Sequence, residues 1–178
     1  MPELALTRGD VADLDSLQQL WVAVHHQHQR SMPHLAPYVD DATTWRERRA
    51  LYEHLFATRD PILLLAREDD EVIGYGLAYT MPASDTWLAD TWRTGERIGE
   101  IESLAVLPNH RRRGLGTRIF ERLHDELRQR GVTDVVLGVL PGNTDAVRFY
   151  ERHGYRPTWL YLSRLDGRAA GHPEPGAR

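Results

Sequence analysis

Val106-Leu107-Pro108-Asn109-His110-Arg111-Arg112-Arg113-Gly114-Leu115-Gly116-Thr117 is the stretch on which the reading of this chain turns. The apolar run ending at Ala105-Val106 predicts a strand, the basic residues a short turn, and the two glycines the opening of a helix. Such a junction suits a diphosphate. Backbone N–H groups at a helix start point toward an anion, the helix dipole favours negative charge, and glycine lets oxygens come close.

Two familiar phosphate loops fail on named residues. The nucleoside-triphosphate loop needs Gly-Lys before Ser or Thr, whereas Gly116 leads into Thr117 and the chain contains no lysine. The dinucleotide fingerprint needs a third glycine where Ile119 stands. What remains is Arg-x-x-Gly-x-Gly after a strand, at Arg111, Gly114 and Gly116.

With 178 residues, 41% of them hydrophobic, the chain can fill one core. A single domain over 1–165 is expected, followed by a Gly-, Pro- and Ala-rich tail over 166–178 that reads as disordered. No apolar run approaches the ~20 residues of a membrane span. No basic-then-apolar leader opens the sequence, so a cytoplasmic location is expected. The absence of cysteine excludes disulfides, thiolate metal sites and a cysteine nucleophile, and the absence of lysine excludes a Schiff base. A net charge of −4 argues against general nucleic-acid binding.

Outward from the loop, the pattern alternates strands and helices. Glu3 to Thr7 reads as a strand, and Asp10 with Asp13 as the cap of a helix running to about Gln29. Val11, Leu14, Leu17, Trp21 and Val24 mark its apolar side. Pro33 and Pro37 break it, and a second helix from about Thr44 to Thr58 carries Leu51, Tyr52, Leu55 and Phe56. Pro61 to Ala66 and Val72 to Thr80 form a hairpin, and Ile98 to Val106 the next strand. The helix opened by Gly114 has Leu115, Ile119, Leu123 and Leu127 as its core stripe. Val135 to Leu140 reads as a buried strand, Asn143 as the cap of a short helix, and Tyr155 to Leu162 as the last strand. The fold class is therefore α/β (α+β): a mixed, partly parallel sheet of six to seven strands flanked by about four helices.

These two motifs together resemble the GNAT superfamily of acyl-CoA-dependent N-acetyltransferases. Val106-Leu107-Pro108 with Arg111-x-x-Gly114-x-Gly116 is similar to the family's pyrophosphate segment, and Asn143 to Ala146, Phe149-Tyr150 and Gly154-Tyr155 to its following segment. The resemblance implies acetyl-CoA as acyl donor, with CoA as product, no metal, and a ternary complex in which the acceptor attacks directly. It implies that Arg111, Arg112, Arg113, Gly114, Leu115, Gly116 and Thr117 hold the pyrophosphate. Leu104, Ala105, Val106 and Asn143 would take the pantetheine arm, between strands that splay near Val106 and Leu140. It also implies Tyr150 as the acid beside the sulfur and the Val106 N–H as the oxyanion donor.

An alkyl ammonium with a lysine-like pKa of ~10.4 is almost wholly protonated at neutral pH, so such a site must accept a proton. Glu100 and Glu102 are the candidates, on one face with Leu104 by alternation unless a bulge intervenes, and Glu102 is slightly preferred. For the amine acceptor, His25, His28, Tyr38, Trp45 and Asp85 are the expected contacts, with Asp40 beside them. His25 and His28 have helical same-face spacing without an acidic partner, which argues against a metal, and the resemblance implies that the connection after the first helix, where they fall, lines the acceptor pocket. The alternative reading is a non-catalytic acyl-CoA sensor. No nucleic-acid or membrane partner is expected, and the last strand with its tryptophan could support a homodimer.

Overall fold

The computed structural model describes residues 5–165. Strand β1 (Leu6–Gly9) leads to Asp10, whose carboxylate accepts the Ala12 N–H at 2.7 Å while Asp13 accepts the Asp10 N–H at 3.0 Å. This reciprocal cap opens a 3₁₀ segment over Val11–Leu17, which passes into α1 (Gln18–Ser31). Leu14, Leu17 and Trp21 turn inward as their spacing requires, whereas Val11 stands 51% exposed. Helix α2 (Asp41–Thr58) begins earlier than the expected Thr44, because the Asp40 carboxylate accepts the Thr43 N–H at 2.6 Å and caps it. Its inner face carries Thr44, Trp45, Tyr52 and Leu55, and Leu51 looks outward.

Strands β2 (Ile62–Glu68) and β3 (Glu71–Pro82) form the expected hairpin, and β4 (Arg97–Val106) pairs with β3. Then follow α3 (Leu115–Gln129), β5 (Val135–Leu137) and α4 (Thr144–Arg152). The sheet runs β1-β2-β3-β4-β5, antiparallel up to β4 and parallel between β4 and β5. Among the described residues it has five strands, fewer than the six to seven expected. Strand β5 stops at Leu137, ahead of Gly138, Pro141 and Gly142, residues that do not sustain a ladder. Tyr155 to Leu162 forms no strand: β5 offers only three residues of edge, and Leu160, Tyr161 and Leu162 stand out in solvent. The expected start of the first strand at Glu3 and the tail from Asp166 lie outside the described residues.

Leu115, Ile119, Leu123 and Leu127 are buried, as their spacing requires, against the α3 face of the sheet. The fit depends on Gly76, since a Cβ there would lie 2.6 Å from Ile119 and 2.7 Å from Leu123. Gly76→Val is therefore expected to cost about 1–3 kcal/mol by overpacking, read as a lower denaturation midpoint with unchanged slope. Among the described residues no helix is long and apolar enough to cross a membrane.

Candidate functional site

Strand β5 covers only part of β4. Pairing runs Gly99↔Val135, Glu100↔Val136 and Ile101↔Leu137, while β4 continues to Val106. Among the described residues Glu102 to Val106 thus lack a strand on that side; the expected splay near Leu140 is replaced by the end of β5 at Leu137. The Leu107 N–H is donated to the Ile73 carbonyl of β3 at 2.9 Å. By alternation Leu104 and Val106 turn their N–H and C=O groups toward the open edge, and Ala105 toward β3. The Arg111 Nε–H reaches the Val106 carbonyl at 3.0 Å, consistent with that direction.

Beyond Val106 the chain makes a short turn at Pro108–His110 and enters α3 through Arg112 at φ 61° and Gly114 at φ 76°. Left-handed residues in such a loop let successive N–H groups face one concavity, and glycine takes that conformation without penalty. No side chain caps the start of α3. Gly114 is the N-cap, and the first amides of a helix without a side-chain cap are the donors an anion would accept.

The two carboxylates are separated from Leu104 by a bulge. Leu77 pairs with Ser103 and Ala78 with Ile101, which leaves Glu102 as an extra residue in β4. Leu104 pairs with Gly76 on the α3 face, whereas Glu102 reaches Arg48 of α2 on the opposite face. Plain alternation with Leu104 is thereby overturned, by one inserted residue. Glu100 accepts the Tyr79 hydroxyl at 2.6 Å across the strand pair. Burial and the bond to Glu100 hold the Tyr79 phenol well above its ordinary pKa.

Glu102 and Arg48 form an ion pair with 17% and 21% of their side chains exposed. Burial raises the Glu102 pKa, Glu100 adds to the rise, and Arg48 opposes it. The Arg48 guanidinium lies 3.6 Å above the Trp21 ring and 5.6 Å from that of Tyr52. Trp21 in turn donates its Nε1–H to Thr44 Oγ1 at 3.0 Å. Beneath the pair, Tyr52, Tyr75 and Ser103 share buried hydroxyl hydrogen bonds.

Helix α4 seats itself through aromatic rings around Phe120 of α3: Phe149 at 5.3 Å, Tyr150 at 5.7 Å and Tyr155 at 5.8 Å between centroids. Burial pushes the Tyr150 phenol up to about 12, so it is protonated at neutral pH. Asn143 precedes α4, yet its side chain makes no capping hydrogen bond.

The expected acceptor contacts divide. His25 is 5% exposed and its Nε2 sits 2.9 Å from the Val39 carbonyl, Tyr38 donates to the Met32 carbonyl at 2.6 Å, and Trp45 is a core residue. His25 and Tyr38 thus brace the α1–α2 connection, a use that periodicity does not reveal, and Asp40 is a helix cap. Asp85 faces Arg59 at 3.4 Å on the surface. His28 meets the edge of Trp21 at 6.0 Å, and burial, His25 and Arg48 lower its pKa, leaving a neutral imidazole. Among the described residues no group of three or more His, Cys, Asp or Glu side chains converges as metal ligands would. Arg48 and Tyr79, the partners of the two carboxylates, carry no sequence signal, since each lies on another element.

A sequence profile described as the Acetyltransferase (GNAT) family matches residues 19–155. Over 69 residues the chain is 38% identical to the ribosomal protein bS18-alanine N-acetyltransferase of Escherichia coli, covering 37% of this chain and 47% of that protein. Over 103 residues it is 32% identical to the thialysine N-epsilon-acetyltransferase of Mus musculus, covering 55% of each. The chain spans about half the length of the curated relatives it matches. A solved structure described as a predicted acetyltransferase with acetyl-CoA, from Clostridium acetobutylicum, shares the fold. Its TM-score is 0.63 at 20% identity, over 90% of this chain and 96% of that one.

Proposed function

This chain belongs to the acetyltransferase (GNAT) family, and from that premise we propose that it moves an acetyl group from acetyl-CoA to a primary amine by direct attack. One observation carries the reading: the unpartnered edge of β4 runs from the uncapped start of α3 to a half-buried carboxylate at the bulge. The donor's pyrophosphate suits the amides of Arg111 to Thr117. Its pantetheine arm, an extended chain of amides, suits the outward N–H and C=O groups of Leu104 and Val106, with Asn143 across the slot.

Each step falls to a residue of this chain. Glu102 takes the first proton of the acceptor ammonium, directly or through one water, and passes it to solvent. The freed nitrogen forms the C–N bond at the thioester carbon, and the Val106 N–H receives the charge that builds on oxygen. Tyr150 hands its proton to sulfur as the C–S bond breaks. The second proton lost by nitrogen balances that donation, and Tyr150 is reprotonated from water. His28, Glu100 and Asp85 are the acceptor-side groups we retain, which suits a cationic acceptor.

The test is thiol release from acetyl-CoA across a panel of peptides, lysine derivatives, polyamines, aminoglycosides and amino acids. Release that depends on one amine class supports the reading. A thermal shift with acetyl-CoA but no release with any amine favours a non-catalytic acyl-CoA sensor. No shift and no release overturns both. Tyr150→Phe is expected to lower turnover roughly 10- to 100-fold while leaving acetyl-CoA affinity near wild type, because a thiolate of pKa ~8.5 leaves fairly well unaided. Unchanged turnover across the pH range removes Tyr150 as the acid.

A further inference from the structure

We propose that Arg48, held over the face of Trp21, is a positioning residue that keeps Glu102 ionised and fixed at the point where β5 parts from β4. The inference rests on the reading of Glu102 as proton acceptor and adds the residue that makes such a role possible. A carboxylate only 17% exposed loses most of its hydration, and Glu100, two residues away on the same strand, presses it further toward the neutral form. Neutral Glu102 accepts no proton. A counter-charge is therefore needed within the fold.

Arg48 is placed to supply it without becoming mobile. Its guanidinium stacks 3.6 Å above Trp21, a ring 6% exposed and tied to Thr44 through Nε1, and it binds Glu102 Oε1 through one terminal nitrogen. A planar cation on an aromatic face retains attraction in a partly dry setting, where an ammonium loses more hydration. Among the described residues only Oε1 accepts a hydrogen bond, which leaves Oε2 for the acceptor or its water.

The charged and titratable groups around the pair come from every packed element. They are Glu100 on β4, Tyr79 and Tyr75 on β3, Tyr52 on α2, and His28 on α1. Burial, His25 and Arg48 lower the His28 pKa, burial raises those of the three phenols, and Arg59 acts on Tyr79 from the end of α2, so the cation paired with Glu102 itself is Arg48. The sign follows. Activity rises with pH as Glu102 ionises, and removing a cation that lowers its pKa moves that rise to higher pH.

The experiment measures pH profiles of kcat and kcat/KM for wild type, Arg48→Met, Arg48→Lys and Glu102→Gln, with thermal unfolding and acetyl-CoA binding as controls for folding. Arg48→Met is expected to move the acid limb up by about 1–3 pH units, losing activity at neutral pH and recovering it in alkali. Arg48→Lys is expected to restore most of the shift but less of the turnover, since it keeps charge without the planar stack. A uniform drop at all pH values in Arg48→Met, with the limb unmoved, makes Arg48 structural and overturns the inference. Should Arg48→Met prove unfolded, the charge-free Arg48→Gln takes its place, and an unmoved limb in the folded Arg48→Gln variant overturns it equally. Full activity of Glu102→Gln instead overturns the reading of Glu102 as base, and is a separate outcome.

Discussion

Glu102→Gln is expected to reduce turnover at neutral pH by about 10²–10⁴-fold, the range for a positioned acid or base, with acetyl-CoA affinity retained. Glutamine keeps the length and one acceptor oxygen, so the contact to Arg48 can persist. The capacity to hold a proton is lost. Because the acceptor ammonium is almost wholly protonated near neutrality, the residual rate is expected to climb with pH as free amine accumulates, without the acid limb that Glu102 imposes. A second consequence is a higher acceptor KM, since Arg48 is then a half-buried cation with its counter-charge removed. Steady-state kinetics from mildly acidic to alkaline pH, using an acceptor identified in the amine panel, measures all three. A variant with wild-type kcat at neutral pH excludes Glu102 and transfers the role to Glu100, whose Tyr79 partner is neutral.

Phe120→Ala is expected to destabilise the fold by about 3–5 kcal/mol, the range for truncating a buried aromatic ring. Phe120 is 2% exposed and touches the rings of His124, Phe149, Tyr150, His153 and Tyr155, so one side chain seats α4 and the segment after it on α3. Edge-to-face contacts of this kind add to the burial energy. The cavity cannot collapse by moving α3, because Leu123 and Ile119 on the same helix are fully buried against the sheet. Denaturant unfolding measures the loss, and a change under about 1 kcal/mol would show that the cluster repacks. Where the variant folds, turnover should fall at least as far as in Tyr150→Phe, since Tyr150 loses the neighbour that orients it.

Some of this was legible from residues alone. The apolar stripe of α3, the reciprocal cap at Asp10 and Asp13, the β2–β3 hairpin and the open loop at Gly114 all depend on neighbours within a few positions, where propensity and periodicity act. The expected last strand is absent for the same reason. Trp159 to Leu162 has the apolar character of a strand, yet pairing needs a partner edge, and β5 ends after three residues. Trp45, His25 and Tyr38 carry the chemistry of a ligand pocket, and in the fold Trp45 packs in the core while His25 and Tyr38 bond backbone carbonyls of the α1–α2 connection. Residue type alone cannot distinguish a ring that meets a ligand from one that meets its own chain.

The sequence by itself determined the family, through two local motifs whose glycines, arginines and aromatic pair are set by short-range geometry. Only the tertiary structure decided what surrounds the two carboxylates. One extra residue in β4 turns Glu102 away from the Leu104 face, and Arg48, 54 positions earlier in the chain, comes to rest beside it. The physical reason is that a carboxylate's charge state depends on what surrounds it in space, and those surroundings are assembled from α1, α2, β3 and β4 only when the chain has folded.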